Sequence, residues 1–281
     1  MTAALFAGLS ALVYGVGDYC GGTAGKRASA LAVTLVAKSS ALPLLIVLAV
    51  VLGADRAPDL ADLGWAAAAG LAGVFGVVLF YRAMSTGAMA VVAPITAAAT
   101  AVLPVVVGIA VDGSPGLLPL LGVGCAVVAI TLVSAGGGKG RVEVTPGLIG
   151  VALVSGLAFG LFFALLDRAR TGTGQWPLVA AQLAATTGLL VVGRGRGLAL
   201  TVPRGALRFA LAAGVLDTMG NVLYVVANNG GELALVAPLA SLYPASTVLL
   251  ALLVDRERVR GWQLLGLGLA GTALALLAAT G

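Results

Sequence analysis

Four polar residues inside a long apolar run lie at positions that share one face of a helix. Asp217, Asn221, Tyr224 and Asn228 follow one another at i, i+4, i+7 and i+11, which is the spacing of a single helical stripe. A carboxylate and two amides that faced lipid would cost several kcal/mol. The stripe therefore predicts a face that lines the bundle interior or a water-filled cavity. The alternative is that the four residues only join helices through hydrogen bonds.

Lys38 is another ionisable residue inside an apolar run. If the runs that contain Lys38 and Asp217 start from the same side of a membrane, both residues lie roughly 10–12 Å deep. The two side chains could then pair or share a cavity. We expect Asp217 to exchange a proton or a cationic substrate, and Lys38 to bind an anionic group or to neutralise Asp217.

A second group of polar residues lies near the ends of apolar runs. Tyr14 and Asp18 are one helical turn apart, and Asp18 and Arg82 are expected near the same membrane face. One hypothesis is a gating ion pair between Asp18 and Arg82, and the other is that both side chains extend to the interface. Three further residues are expected to line an outer vestibule: Gln182, Asn229 and Tyr243.

The residue types argue against an enzyme. The chain has no histidine, which is the common general base and metal ligand, so a serine hydrolase triad is excluded. The GGGKG segment at 136–140 resembles a phosphate-binding loop, but Gly follows the Lys where Ser or Thr is needed. Cys20 and Cys125 lie within or at the ends of apolar runs and offer no disulfide framework. We predict no catalytic residue, no metal and no cofactor.

The composition places these residues in a membrane. Of the 281 residues, 60% are hydrophobic and 10% charged, whereas a soluble domain has about a quarter charged residues. Apolar runs long enough to span a bilayer follow one another almost without pause. We predict an all-α integral membrane protein, in which residues 3–20 form a retained first span. No polar stretch is long enough to fold as a separate soluble domain.

Ten transmembrane helices are expected, arranged as two inverted five-helix repeats. Gly70–Ile95 aligns with Gly214–Leu239 without a gap at an offset of 144, with ten of 26 positions identical. Because five spans are an odd number, the second copy would be upside down relative to the first. The same offset pairs Lys38 with Gln182. An offset of 148 pairs Leu5–Val16 with Leu153–Ala164.

The spans and domains follow from these apolar runs and breaks. The first repeat covers residues 1–135, an inter-repeat loop covers 136–147, and the second repeat covers 148–281. The predicted spans are 3–20, 31–53, 64–84, 88–111, 117–135, 148–166, 178–193, 209–228, 233–254 and 261–280.

The loop charges set the expected orientation. Eleven Lys and Arg residues fall in loops on one side of the membrane and three on the side of the N-terminus. The positive-inside rule then predicts a cytoplasmic (inner) membrane protein with both termini outside. The net charge of +5 is spread over short loops, which does not indicate nucleic-acid binding. Membrane lipid is the expected contact of these charges. A monomer suffices, and a homodimer is compatible with the sequence.

Further motifs indicate a family. An Ala-Pro pair follows each predicted hairpin, in the segments 83–94 and 227–254. Asp255–Arg258, followed by Gln263 and Gly266, is similar to a Gly-Glu-Arg and Gln-x-x-Gly continuation, and residues 14–22 are similar to the opening of bacterial members. With these motifs the chain resembles the EamA branch of the drug/metabolite transporter superfamily over essentially its whole length. The first copy departs from the pattern, since Val111–Ser114 lacks the glutamate.

The resemblance implies a secondary active transporter that works by alternating access. Its expected substrates are small metabolites, amino acids or amphipathic drugs, with export as the expected direction. Transport would be coupled to protons or another ion, or would proceed by exchange. The alternative is a membrane-embedded scaffold or accessory subunit without transport activity, and a third hypothesis is an intramembrane enzyme. The scaffold would leave the polar stripe and the repeat without a role, and the enzyme lacks a motif.

Overall fold

The fold is helical throughout the part of the chain that the structure describes. A computed structural model describes residues 2–85, 89–112, 116–134, 145–169, 172–230, 233–243 and 261–278, and these contain ten α-helices and no strand. The helices are α1 (Thr2–Gly25), α2 (Ala30–Leu52), α3 (Leu60–Ser85), α4 (Met89–Asp112), α5 (Leu117–Ser134), α6 (Pro146–Asp167), α7 (Trp176–Gly195), α8 (Arg204–Asn229), α9 (Leu233–Ala240) and α10 (Gly261–Ala278).

Six of these helices are long and apolar enough to cross a membrane: α1, α2, α3, α6, α7 and α8. Shorter apolar segments lie within α4, α5 and α10. Large apolar side chains such as Leu5, Val51 and Leu264 are exposed on the outside of the bundle, where lipid can take the place of a protein core. The chain is therefore a multi-pass membrane protein.

Helix α1 continues past the predicted end at residue 20 and reaches Gly25. A Cβ on Gly21 would overlap the Tyr81 hydroxyl of α3. A Cβ on Gly22 would lie 2.5 Å from the Cε atom of Met84, which is also on α3. Glycine is a weak helix former on its own. Here it stays helical because α3 packs directly on its backbone, which the local sequence does not reveal.

Helix α9 ends earlier than the predicted span 233–254. Its last residue is Ala240, and Ser241 and Leu242 form a turn in which the Leu242 N–H donates to the Leu239 carbonyl three residues back. Pro238 and Pro244 flank this turn, and each lacks the backbone donor that an α-helix needs. The rest of the predicted span, 244–254, lies outside the described residues.

Helices from the two predicted repeats interleave. Helix α1 packs along α8, α3 packs along α6 and α7, and α2 packs against α7 and α8. A Cβ on Gly70 of α3 would overlap the Ala181 carbonyl of α7, and a Cβ on Gly214 of α8 would overlap the Ala37 carbonyl of α2. Both pairs are related by the offset of 144, so the same close backbone contact occurs twice with the two copies exchanged.

A second pair of contacts relates α1 to α6. The Ser155 hydroxyl donates to the Gly76 carbonyl at 2.9 Å, and the Ser10 hydroxyl donates to the Gly220 carbonyl at 2.8 Å. These contacts are equivalent if α1 and α6 are offset by 145, not by the 148 that the sequence alignment favoured. Runs of small apolar residues align almost equally well in several registers, so the offset of 148 stays a prediction and the serine contacts favour 145.

The close contact at Gly214 gives a test of this packing. Gly214→Ala would place a methyl group against the main chain of Ala37, so we expect it to lower the free energy of unfolding by about 1–3 kcal/mol. Thermal unfolding of the purified protein in detergent measures the change. The matched control is Gly124→Ala, at an exposed position of α5 where a Cβ has no neighbour within 4 Å. An equal loss in both variants would contradict the packing argument.

Candidate functional site

A cavity lies between the helices of the two halves, and we call it the central cavity. Its charged and amide lining comes from Asp18 on α1, Lys38 on α2, and Asp217 and Asn221 on α8. The volume open to water-sized molecules is about 80 Å³, several times the space that one water molecule needs. Four residues that the sequence singled out therefore share one site.

Lys38 and Asp217 form an ion pair at the wall of this cavity. The Lys38 Nζ atom lies 2.5 Å from the Asp217 Oδ2 atom, and the two side chains are 13% and 28% exposed. A lone charge in an apolar bundle would be costly, and pairing offsets that cost. Both charges also remain within reach of the cavity, so the pair can hold α2 to α8 and still contact a ligand.

Two amides fix the geometry of this pair. The Asn221 Nδ2 atom donates to the Asp217 main-chain oxygen at 2.7 Å and to its Oδ2 atom at 3.2 Å. The Gln182 Nε2 atom donates to the Lys38 main-chain oxygen at 2.8 Å. Gln182 was expected in an outer vestibule, but the structure places it against its own repeat partner. Gln182 makes this contact because it lies on the inward face of α7. Its position along the span does not determine the contact.

The polar stripe on α8 divides into two parts. Asp217 and Asn221 line the central cavity, whereas Tyr224 is fully buried with its ring centroid 4.4 Å from that of Phe163. Asn228 is buried too, and its Nδ2 atom donates to the Asp167 Oδ1 atom at 2.8 Å. Both hypotheses for the stripe therefore apply, each to one half of it.

Asp18 lines the central cavity. A Cβ on its neighbour Gly17 would lie 3.2 Å from the Leu216 Cβ atom and 3.5 Å from the Asp217 nitrogen, so α1 presses directly on the carboxylate-bearing turn of α8. Tyr14, one turn earlier, lines the same cavity. Arg82 is exposed and is not among the lining residues. The expected grouping of Asp18 with Arg82 is therefore replaced by a grouping with Lys38 and Asp217.

The expected outer vestibule is also divided. Tyr243 is buried and lines the central cavity. Asn229 borders a separate surface depression with residues 52–55, 172 and 174. The three residues predicted for the vestibule therefore lie in three different surroundings.

Aromatic side chains form most of the remaining wall of the cavity, and sequence reasoning missed most of them. The chain has seven Phe and five Tyr, and half of these twelve line the central cavity: Tyr14, Tyr81, Phe159, Phe162, Phe163 and Tyr243. The spacing of 159, 162 and 163 on one helix was a usable signal, because only 5% of the chain is aromatic. In the described part of the chain, no group of three or more His, Cys, Asp or Glu could hold a metal ion.

Comparison with known proteins identifies the second half of the chain. Residues 146–279 match the model of the EamA-like transporter family. This half of the chain is therefore similar to the EamA-like transporter family. One solved structure, described only as a crystal structure of a protein, is similar with a TM-score of 0.73 and 16% identity, over 98% of this chain and 95% of that one. At this identity the likeness shows the fold alone. No curated protein sequence matches the chain.

The ion pair gives a test that needs no substrate. Lys38→Met or Asp217→Asn alone leaves a polar or charged group without its partner, so we expect each to lower the free energy of unfolding by on the order of 2 kcal/mol. The double variant removes both and should be more stable than the sum of the single losses implies. Unfolding in detergent provides the comparison. Strictly additive losses would show that the two side chains do not stabilise each other.

Proposed function

We propose that the chain is a secondary active transporter that binds small organic solutes in the central cavity and moves them across the membrane. The observation that carries this proposal is a partly exposed ion pair, Lys38 with Asp217, at the wall of a cavity between two halves of a membrane protein. Ionisable residues inside membrane bundles mark ligand or ion pathways. The match of residues 146–279 to the EamA-like transporter family supports the same assignment.

Alternating access requires two parts that move against each other, and we propose that these parts are inverted repeats. The contact of Gly70 with Ala181 has its equivalent in Gly214 with Ala37, and the serine contacts of α1 and α6 are equivalent as well. Such pairs are what a pseudo-two-fold axis between two copies produces. The proposal includes ten crossings of a cytoplasmic membrane with both termini outside, as the loop charges indicate.

The membrane face at the ends of α2 and α6 offers a contact that transport would have to break. The backbone N–H groups of Asp55 and Arg56 donate to the Gly172 carbonyl at 2.9 and 3.1 Å. Asp55 and Arg56 follow α2 in the first proposed repeat, whereas Gly172 follows α6 in the second. These bonds therefore hold the repeats together at this face, which the charge count makes the outer one.

A disulfide across this face tests whether it must open. An ideal Cβ on Gly172 lies 3.6 Å from the Asp55 Cβ atom, within the range that disulfides need. We expect Asp55→Cys/Gly172→Cys, with Cys20 and Cys125 replaced by Ala, to lose flux on oxidation and regain it on reduction. Each single cysteine variant serves as the control, including for the strain at Gly172, where φ is 72°. Full flux through the cross-linked protein would contradict opening at this face.

Transport itself is tested by flux into proteoliposomes. A panel of radiolabelled amino acids and organic amines, supplied with and without a pH gradient, identifies a transported solute, its direction and its coupling. We expect Asp217→Asn to reduce flux at least about tenfold, since a hydrogen bond to a charged group contributes about 1.5–3 kcal/mol.

The control for this variant is Asp59→Asn. Asp59 lies outside the cavity and its Oδ1 atom accepts from the Asp62 N–H at 2.9 Å, a contact that asparagine retains. Its exposed ion pair with Arg56, at 3.9 Å, contributes little. Unchanged flux and unchanged pH dependence in Asp217→Asn would remove Asp217 from the mechanism. A folded protein that moves no member of the panel would favour the scaffold alternative.

A further inference from the structure

Among the described residues that line the central cavity, Asp18 is the charged residue that lies outside the Lys38–Asp217 ion pair. Lys38 is engaged with Asp217 at 2.5 Å, and within the described part of the chain no hydrogen bond or ion pair is made by the Asp18 carboxyl group. Among the described residues, the charged side chains of the wall are two Asp and one Lys, so the sum of their formal charges is negative. A carboxyl group in such surroundings either carries a proton or is matched by a cation.

The neutral lining also favours a positively charged ligand. Aromatic rings line the cavity from three helices and from the segment after α9. They are Tyr14 on α1, Tyr81 on α3, three phenylalanines on α6, and Tyr243 after α9. The face of an aromatic ring attracts an ammonium group, and more strongly when water is excluded. An apolar body would pack against the same rings. The wall therefore matches a molecule with one positive charge and a hydrophobic part.

Asn221 adds an unsatisfied acceptor at the same place. Its Nδ2 atom donates to two oxygens of Asp217, which fixes the orientation of the amide, because the flipped amide would oppose two acceptors. Its Oδ1 atom is buried and has no partner among the described residues, although the residue lines the cavity. A buried acceptor without a donor is costly, and an N–H group brought in by a ligand would satisfy it.

We propose that the central cavity binds a protonated organic amine with an aromatic or aliphatic body, and that Asp18 contacts its ammonium group. The ammonium supplies the positive charge that the Asp18 carboxylate needs in these surroundings. The titratable groups that surround it are Tyr14, Lys38, Tyr81, Asp217 and Tyr243. Lys38 excludes a second positive charge and so favours monocations. This proposal rests on the proposed function, because it names the substrate class of the same site.

Binding in detergent to the full chain tests the proposal with three probes of similar shape. They are 2-phenylethylammonium, neutral 2-phenylethanol and anionic 3-phenylpropanoate, and calorimetric titration gives their dissociation constants. We expect the cation to bind at least about tenfold more tightly than either of the others. Asp18→Asn should weaken cation binding about tenfold and leave 2-phenylethanol binding unchanged. The control Asp59→Asn should change neither.

Three outcomes would overturn the proposal. They are equal binding of the three probes, a preference for the anion, and unchanged cation binding in folded Asp18→Asn. If Asp18→Asn does not fold, the order of affinities in the unmodified chain still decides. Flux separates this proposal from the proposed function. Transport of solutes without preference for cations rejects the amine site and keeps the transporter, whereas tight cation binding without any flux rejects the transporter and keeps the site.

Discussion

The pairing of one lysine with one aspartate inside an apolar bundle is the interaction on which the rest of the site depends. Lys38 and Asp217 come from helices that are far apart in the sequence and meet at 2.5 Å. Each charge alone would be expensive to bury, so the fold must bring α2 and α8 together at this depth. Asn221 and Gln182 then fix the pair from α8 and α7. One electrostatic requirement thus aligns three helices.

Residue size decides where the helices touch and where they separate. At Gly70 and Gly214 the absence of a side chain lets α3 reach α7 and α8 reach α2 at backbone distance. Without a hydrophobic driving force between helices in lipid, such close packing provides much of the attraction. At the central cavity, bulky rings such as Phe162 on α6 and Tyr81 on α3 line the space between helices. Small residues close the bundle, and large ones surround the void.

The likeness to known proteins gives this arrangement its context. The EamA-like model matches residues 146–279, and the likeness to a solved structure extends over nearly the whole chain. The polar wall of the cavity is asymmetric within that frame. Lys38 faces its repeat partner Gln182, and Asp217 corresponds in the repeat to Gly73, which also lines the cavity. The two halves share backbone contacts, but their charged residues do not lie at equivalent positions. A site that distinguishes between ligands needs such an asymmetric wall.

The sequence by itself determined the helical membrane class, nearly all helix positions, and Lys38, Asp217 and Asn221 as polar residues that could share a cavity. Composition and apolar run length carry this information because a bilayer accepts only self-satisfied helices with apolar surfaces. Tertiary structure alone decided which helices touch, the end of α9, the contact of Gln182 and the place of Asp18. These depend on the rotation of each helix about its axis. Packing against neighbours sets that rotation, and in a helix that is apolar on all sides no local pattern records it.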